Sequence, residues 1–282
     1  MDKKQKLSAL SVFISACLFS LGGICIKSIP WNALAINGAR SIIAIVIMFA
    51  FLKATRRKLA INRYVVFGGF CLFATNTFYV LANKLTTAAN AIIIQFTAPV
   101  FIIIYMWVFF KEKPGKTESI TCAVTFFGIV LFFIDSLSAG DALGNFLALL
   151  SGMSYAVVFM LNTLPKADAF SSVIIGQALN AAVGLPFLSM ESNFESKTII
   201  WLLVLGVFQL GLSYVFFTCG LQHTPAVAAS LISGIEPVLN PIIVAVFLHE
   251  TISPVALLGA AVVLTSIIAY NIIKSKPKGR TN

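Results

Sequence analysis

The chain has 282 residues, of which 59% are hydrophobic and 11% charged, and its formal net charge is +10 at pH 7. Soluble globular proteins carry about 25% charged residues, so the composition excludes that class and favours a membrane protein. A net positive charge can indicate nucleic-acid binding, and its placement along the chain decides between the two interpretations.

Apolar runs of about 20 residues, long enough to cross a bilayer, follow one another along the whole chain with short connections. They predict an all-α membrane protein with ten transmembrane helices. The ten spans are Leu7–Ile26, Trp31–Leu52, Tyr64–Leu81, Ala88–Phe110, Ile120–Ile134, Ala142–Leu161, Ser171–Met190, Ile199–Leu221, Ala226–Leu248 and Pro254–Ile273.

The Lys and Arg residues lie mostly at one set of span ends. With the N-terminus placed inside, 16 of the 20 lie on the inner side, three on the outer side, and Arg40 lies within the second span. Cytoplasmic connections of membrane proteins carry such an excess. The charge therefore predicts a multi-pass protein of the cell membrane with both termini cytoplasmic, and it argues against a nucleic-acid partner.

Two parts of the chain resemble each other at a constant offset of 138 residues. FTAPVFIIIYMWVFFKE, ending at Glu112, aligns with GIEPVLNPIIVAVFLHE, ending at Glu250, so that Pro99 matches Pro237. We predict two homologous halves, residues 1–140 and 141–282, with five spans each. Because five is odd, the second half inserts upside down relative to the first. Such inverted repeats are a transporter architecture with the substrate site between the halves.

The ninth predicted span carries a carboxylate, Glu236, inside its apolar run. On a continuous helix Ala229, Ser233, Glu236 and Asn240 share one face, so Ser233, Glu236 and Asn240 are candidate solute-binding residues. A carboxylate at membrane depth costs several kcal/mol unless it is protonated, paired or wetted. A functional role is the sharper interpretation, and a brace between helices is the alternative. The first half has Ala98 at the equivalent position, so the site is asymmetric.

Arg40 lies nine residues after Trp31, about 13 Å along the second span. An arginine at this depth stays charged and must be paired or wetted. It could bind solute, pair with Glu236, or brace backbone carbonyls, and the sequence leaves these three alternatives open.

The remaining candidates are polar side chains that form stripes on the predicted spans. They are Asn37 in span two, Asn76, Tyr79 and Asn83 in span three, Gln95 in span four, Tyr155 in span six, Gln177 and Asn180 in span seven, and Gln209 and Tyr214 in span eight. Spans five and ten have almost none, which predicts a wet centre among the other eight. Buried amides also hold membrane helices together. For any single amide that alternative stays open, whereas for Asn76, Tyr79 and Asn83 together we favour lining.

Other chemistry finds little support in the sequence. The five cysteines lie singly in apolar segments without CxxC spacing, which supports neither a disulfide framework nor a metal site, and we predict no cofactor. The chain has no GxxxxGK[ST] motif for ATP hydrolysis. It has two isolated histidines and neither HExxH nor GxSxG, so a membrane-embedded enzyme of lipid or lipid-phosphate metabolism is only an alternative. A non-transporting scaffold is the other alternative.

Taken together, the ten spans, the repeat, the Lys111-Glu112 and His249-Glu250 span ends, the Glu236-Pro237-Val238 string and Arg40 resemble the EamA-type drug/metabolite transporter superfamily. The resemblance implies a central cavity lined by spans one to four and six to nine. It also implies that Arg40 and Glu236 belong to a shared scaffold.

These observations predict a secondary transporter, not an enzyme, that exports small organic metabolites such as amino acids by alternating access. Glu236 is the candidate group for proton coupling, or for binding a solute amine. A carboxylate that is wet in one state and dry in another links proton binding to conformation. The expected partners are a small-molecule solute, the lipid bilayer and protons, and a homodimer stays open.

Overall fold

The computed structural model describes residues 3–86, 88–132, 134, 142–248 and 253–275. Within these ranges every regular secondary-structure element is a helix. The α-helices are α1 Lys3–Phe19, α2 Gly22–Ser28, α3 Ala33–Ala54, α4 Arg63–Leu85, α5 Ala88–Gln95, α6 Ala98–Phe110, α7 Lys116–Phe132, α8 Ala142–Phe159, α9 Ala169–Leu188, α10 Ser196–Leu203, α11 Ser213–Gly220, α12 Ala226–Ser233, α13 Glu236–Leu248 and α14 Pro254–Ser275. A π-helical segment, Val204–Leu212, joins α10 to α11.

The helices follow the predicted spans in order. Seven of them are long and apolar enough to cross a membrane. The seven segments are Lys3–Ser28, Ala33–Ala54, Arg63–Leu85, Asn90–Phe110, Ala142–Phe159, Ala169–Leu188 and Ser196–Gly220. Two shorter apolar helices, Ala226–Asn240 and Leu257–Tyr270, come after them. The all-helical membrane architecture is therefore confirmed, while the count of ten spans stays a prediction. His249 and Glu250, which carry part of the predicted repeat, lie outside the described residues.

Helix starts are fixed by residues that cap exposed backbone N–H groups. The Oδ1 of Asn32 accepts a hydrogen bond from the Leu34 N–H at 2.8 Å at the start of α3. Asn62 caps α4, and Asp168 accepts from the Ser171 N–H at 2.7 Å at the start of α9. Such caps stabilise a helix start by about 1 kcal/mol, and they set where each span leaves its connection.

The packing of the helices repeats when the two halves are exchanged. In the first half, α4 packs against α8 and α9 of the second. In the second half, α11 packs against α1, and the π-helical segment packs against α3. Two helices at corresponding places, α3 and α9, pack on each other, as do α7 and α14. This reciprocal pattern places the first four spans of each half around one centre and leaves the α7–α14 pair to one side.

The crossing of α3 and α9 is unusually close. A Cβ built on Gly38 would lie 2.6 Å from the Cα of Gly184. Only glycine fits at both positions, since an added methyl group meets backbone rather than a movable side chain.

Spans four and nine are each interrupted at the same place. In the first half the Thr97 N–H donates to the Ile94 carbonyl at 3.1 Å. In the second half the Ile235 N–H donates to the Ile232 carbonyl at 3.3 Å. A new helix begins one residue later, with Ala98 in one half and Glu236 in the other. Our expectation of one continuous helix through Glu236 was therefore wrong. The next residue is proline, which has no N–H to continue the helix but fits the first turn of a new one.

Candidate functional site

An arginine held by amides occupies the centre of the bundle. Arg40 is 1% exposed, and all three of its guanidinium nitrogens donate hydrogen bonds. Its Nε and one terminal nitrogen donate to the Oδ1 of Asn37 at 3.2 and 3.0 Å. The other terminal nitrogen donates to the Oε1 of Gln209 at 3.3 Å. Gln209 belongs to the π-helical segment, so the two acceptors come from opposite halves of the chain.

The same amides tie α3 to α9 and α4. The Nδ2 of Asn37 donates to the Oδ1 of Asn180 at 2.8 Å, and the Thr77 hydroxyl donates to that oxygen at 3.0 Å. One turn further along α3, the Ser41 hydroxyl donates to the Oε1 of Gln177 at 2.8 Å. Four predicted candidates, Asn37, Arg40, Asn180 and Gln209, are thus joined by hydrogen bonds, and a fifth, Gln177, is bonded to the next turn of α3. We call these five residues the amide network.

The predicted stripe on α4 is buried in the protein. Asn76, Tyr79 and Asn83 are 6%, 8% and 3% exposed. The Oδ1 of Asn76 accepts from the Tyr214 hydroxyl at 3.1 Å, which connects α4 to α11. Asn76 Nδ2 and Asn83 Oδ1 are buried and have no hydrogen-bond partner within the described residues.

The break between α12 and α13 brings Ser233 and Glu236 to the same region. Ser233 is fully buried and its hydroxyl has no hydrogen-bond partner in the part of the chain that the structure describes, and the same holds for the Oε2 of Glu236. Glu236 lies within electrostatic reach of Tyr79, Tyr155 and Tyr214. Because these tyrosines come from α4, α8 and α11, the carboxyl group lies where both halves meet.

Asn240, one turn into α13, packs against the N-terminal end of α2. It is 5% exposed, and a Cβ on Gly23 would lie 2.6 Å from its Oδ1. The predicted stripe of Ser233, Glu236 and Asn240 therefore runs across the helix break rather than along one helix.

Tyr155 takes part in an aromatic cluster beside these polar groups. Its ring lies 4.6 Å from that of Phe159 and 6.4 Å from that of Phe217. Phe217 in turn contacts Phe19, which lies edge-on to Tyr214 with ring centroids 5.0 Å apart. We call Phe19, Tyr155, Phe159, Tyr214 and Phe217 the aromatic cluster.

Gln95 has a structural position at the first helix break. Its Nε2 donates to the Ser151 hydroxyl at 2.7 Å, and that hydroxyl donates to the Thr75 carbonyl at 2.8 Å. This chain of hydrogen bonds joins the end of α5 to α8 and α4, so helix bracing is the role that its contacts favour.

The structure decides one of the alternatives for Arg40. Among the described residues Arg40 and Glu236 form no ion pair, and the ion pair found there joins Arg57 to Asp168. Tyr79 and Tyr214 lie within electrostatic reach of both Arg40 and Glu236. The two charges thus share neighbours without meeting, which contradicts Arg40 as the direct partner of Glu236. The guanidinium of Arg40 donates to side-chain amide oxygens, whereas the bracing alternative expected backbone carbonyls as the acceptors.

A cavity of about 530 Å³ lies away from these residues. Its lining includes Gln5 of α1, Phe110 of α6 and Glu118 of α7, together with Thr224 just before α12 and Ile232 in the last turn of α12. None of the fourteen predicted candidates lines it. Ile232 precedes Ser233 in the chain, so one residue of the cavity lining lies next to the second helix break.

Connections of the two halves meet at both ends of the α3–α9 pair. At one end the Trp31 indole donates to the Asn193 carbonyl at 2.7 Å, and the Asn32 N–H donates to the Glu191 Oε1 at 2.7 Å. We call this contact the Trp31 tie, and we call the contact at the other end of the α3–α9 pair the Asp168 tie.

The Asp168 tie joins the connection after α3 to the one before α9. It consists of the Arg57–Asp168 ion pair and a hydrogen bond from the Asn62 amide to the Lys166 carbonyl at 2.8 Å. Burial raises the pKa of Asp168, but hydrogen bonds from Ser171 and the charge of Arg57 outweigh it and hold the pKa below its usual value. Asp168 is therefore ionised and paired at neutral pH.

Sequence reasoning did not find the hydroxyls and loop residues that complete these contacts. Ser41 and Thr77 stand next to the candidates Arg40 and Asn76 in the sequence, but a lone hydroxyl in a span usually bonds to its own backbone, as Thr218 does. The signal that could have located both helix breaks is the proline one residue after each new start, since proline is favoured in the first turn of a helix.

Comparisons with known proteins agree over nearly the whole chain. The profile of the EamA-like transporter family matches residues 6–134 and again residues 142–272. An uncharacterized transporter of Archaeoglobus fulgidus is 23% identical, over 92% of this chain and 94% of the relative. Solute carrier family 35 member G1 of Homo sapiens is 22% identical, over 96% of this chain and 81% of that protein. A crystal structure superposes with a TM-score of 0.80 at 15% identity, and the superposition covers 97% of this chain and 100% of the chain in that structure. The two proteins therefore share a fold.

Proposed function

The chain belongs to the EamA-like transporter family, and we propose that it exports a small organic solute such as an amino acid from the cell by alternating access. The family match and the apolar helices support a multi-pass membrane transporter with two copies of the family's repeat. We further propose that the two halves are inverted relative to each other and that protons are the coupling ion.

One observation supports the proposed position of the solute site. Six of the predicted candidates have a buried polar atom without a hydrogen-bond partner in the described part of the chain: Asn76, Asn83, Gln177, Asn180, Ser233 and Glu236. A buried unpaired polar group costs about 1–3 kcal/mol, and proteins keep such groups where a role compensates for the cost. Their concentration among helices of both halves supports a place where a polar solute exchanges hydrogen bonds with the protein.

The Trp31 tie and the Asp168 tie support the alternating mechanism. Each joins the connection before one of the pair α3 and α9 to the connection after the other, so the two ties are counterparts in the two halves. Arg57 follows the end of α3 by three residues, as Glu191 follows the end of α9. In the proposed cycle one tie opens while the other stays closed, and the central site faces the open side.

The cavity beside α12 supports loading from the cytoplasmic side. Gln5 and Lys113 line it, and both lie on the side that the charge distribution predicts to be cytoplasmic. Ile232 lines the cavity and precedes Ser233 in the chain, and in the proposed cycle a solute passes from the cavity to the second helix break. In the proposed export cycle this cavity is where the solute enters the protein.

Glu236 is the group proposed to couple transport to protons. A carboxylate binds a proton more tightly in a dry environment than in a wet one, so a change of access at the site changes proton binding. Among the described residues, Tyr79, Tyr155 and Tyr214 lie within electrostatic reach of Glu236, and Arg40 lies within electrostatic reach of Tyr79 and Tyr214.

The test is solute exchange by purified protein in proteoliposomes. Proteoliposomes loaded with an unlabelled amino acid mixture should take up labelled amino acid from outside faster than proteoliposomes without internal amino acid do. Glu236→Gln should lose uphill, pH-driven transport while downhill exchange persists. Glu195→Gln, the same change at an exposed position at the start of α10, is the matched control. Failure of every solute to exchange contradicts the transporter proposal, and wild-type pH dependence in Glu236→Gln contradicts the coupling role.

A further inference from the structure

Span eight contains the π-helical segment, whereas the equivalent stretch of the first half is an ordinary α-helix. The segment is Val204–Leu212, and at the offset of 138 residues its counterpart is 66–74, which lies inside the uninterrupted helix α4. A π-helix is rare in proteins, and where one interrupts an α-helix it is frequently at a functional site. A π-helix of nine residues in one half alone therefore needs a specific cause.

Two glycines of the segment face α3 together because of this winding. A Cβ on Gly206 would lie 2.5 Å from the Cβ of Ile43, and a Cβ on Gly211 would lie 3.0 Å from the Cβ of Ile47. The glycines are five positions apart (211 − 206). In an α-helix such residues point about 140° apart, since each residue turns by about 100°, whereas in a π-helix they lie on successive turns. The π winding is thus what presents both glycines to isoleucines that lie one turn apart on α3.

A hydroxyl at the end of the segment suits either winding. The Ser213 N–H donates to the carbonyls of Leu210 and Phe208, three and five residues back, rather than to Gln209, four residues back as in an α-helix. The Ser213 hydroxyl donates to the Gln209 carbonyl instead. At the equivalent position of α4 the Thr75 hydroxyl donates to the carbonyl four residues before it at 2.8 Å, although the helix there is α-wound. The Gln209 carbonyl therefore has a donor in both windings.

The winding of span eight also positions side chains of the central site. Gln209 belongs to the segment, and its Oε1 accepts from the Arg40 guanidinium at 3.3 Å. Beyond the segment, α11 carries Tyr214 and Phe217 of the aromatic cluster. Because the winding sets the rotation of α11 relative to α10, a change of winding would move Gln209 and both rings relative to α3.

From these observations we propose that the π-helical segment is a conformational switch, wound as π in this conformation of the transporter and as α in the opposite one. The inference rests on the proposed alternating mechanism. The α winding has about one residue fewer per turn, so at equal pitch the nine residues lengthen by about 3 Å on conversion. Gly206 and Gly211 then no longer face α3 together, and Gln209 leaves Arg40. The switch thus connects the amide network to the aromatic cluster.

Deleting one residue of the segment tests whether the π winding is needed for transport. Phe208 is the residue to delete, because its side chain is exposed and the shortened segment can wind as α. Its counterpart at the offset of 138 is Phe70, which is also exposed and lies in α4. Phe208→Ala and Phe70→Ala are the matched controls, since each removes the ring and keeps the length of the helix. The measurements are thermal unfolding and exchange of a labelled amino acid mixture in proteoliposomes.

We expect the protein without Phe208 to fold, with an unfolding midpoint within about 4 °C of that of Phe208→Ala. Its exchange rate should fall at least about tenfold, because one of the two conformations of the cycle is lost, whereas Phe208→Ala should exchange at nearly the wild-type rate. Deletion of Phe70 should lower the midpoint much further, because α4 has no surplus residue and every side chain beyond the deletion turns by about 100°.

A distance measurement follows the winding without any deletion. In a cysteine-free background, spin labels on cysteines at Lys197 and Gln222 report the length of span eight, and labels at Arg63 and Leu85 report the length of α4. All four positions are exposed. The Arg63–Leu85 pair is the reference, since α4 keeps its α winding in the proposed cycle.

Two variants that weaken the ties favour opposite conformations in the proposed cycle. Asp168→Asn removes the charge that pairs with Arg57, and Glu191→Ala removes the acceptor of the Asn32 N–H. We expect the distance across span eight to differ by about 3 Å between these variants, while the distance across α4 stays the same.

Two results would overturn the inference. The first is an equal distance across span eight in both tie variants, and the second is normal exchange by the protein without Phe208. If that protein does not fold, the distances decide. Either result together with exchange by the wild-type protein leaves the transporter standing. Absence of exchange by the wild-type protein for every solute refutes the transport function, and a change of distance would then still show the switch.

Discussion

Replacing Gly38 with alanine should force α3 and α9 apart at the point where both halves of the protein meet. The added Cβ would lie 2.6 Å from the Cα of Gly184, whereas ordinary van der Waals contact begins at 3.4 Å. The helices must therefore separate by about 0.8 Å. The obstacle is backbone, so no side-chain rotation relieves it.

The separation also acts on the amide network. The bond from Asn37 to Asn180 and the bond from Ser41 to Gln177 both cross from α3 to α9 at 2.8 Å. A shift of about 0.8 Å would stretch each to about 3.6 Å, beyond hydrogen-bonding distance. Overpacking costs about 1–3 kcal/mol and each lost bond about 0.5–1.5 kcal/mol. Alanine recovers about 1 kcal/mol of helix propensity, which leaves a net loss of about 1–5 kcal/mol.

The assay is thermal unfolding followed by tryptophan fluorescence, together with solute exchange in proteoliposomes. A loss of 1 kcal/mol lowers the midpoint by about 2–4 °C in a protein of this size class, so a drop of several degrees is expected along with weaker exchange. Gly22→Ala is the comparison variant for backbone separation, since the three atoms nearest its added Cβ belong to the flexible Gln209 side chain, the first at 3.2 Å, and that side chain can move while the helices stay in place. If Gly38→Ala unfolds at the wild-type temperature and exchanges solute normally, the close crossing of α3 and α9 is refuted.

Three further predictions concern the Asp168 tie, the topology and Arg40. Asp168→Asn should lower the free energy of unfolding at pH 7 by about 0.5–1 kcal/mol. Because the folded-state pKa of Asp168 lies below its usual value, this contribution is present at neutral pH and is lost as the pH falls through the folded-state pKa. The wild-type protein and Asp168→Asn should therefore converge in stability in acid. A difference in stability that stays constant across the titration contradicts the pairing with Arg57. In a cysteine-free background a cysteine at Ser192, an exposed residue, should react with an impermeant thiol reagent added outside intact cells, and reaction at Thr55 would refute the orientation. Arg40→Met leaves two buried amide oxygens unpaired and should lower the unfolding midpoint by several degrees; a stable variant that has lost only solute binding would show that the arginine contacts solute.

Periodicity placed the polar stripe of α4 on one helix face, and the structure buries that face, while its role in lining a solute path stays a prediction. Asn76, Tyr79 and Asn83 recur at three- and four-residue spacing, which places them on one helix face, and all three are buried. The pattern of one helix does not identify which neighbour that face meets. The contacts of Asn37 with Asn180 and of Arg40 with Gln209 join residues more than 140 positions apart, and they depend on how the halves dock.

The fate of Arg40 illustrates the same limit. Its charge and depth predicted that it needs partners, and Glu236 offered the opposite charge. In the folded protein the side-chain oxygens of Asn37 and Gln209 lie closer, and several dipoles can stabilise a buried cation without a counter-charge. Sequence alone supplies the need for partners, whereas the choice among them follows from distances that only the assembled helices define.

The two helix breaks combine a symmetric backbone with an asymmetric charge. The turn at Thr97 and the turn at Ile235 have the same hydrogen-bond pattern, and the ties at the two ends of the α3–α9 pair are also counterparts. Two conformations related by exchanging the halves would then differ little in backbone energy, so a small differential interaction is enough to shift their populations. Glu236 is present at one break, and Ala98 at the other. In the proposed cycle a ligand or proton on Glu236 would therefore meet two unlike surroundings in the two conformations, which is the requirement for binding at this residue to drive the exchange between them.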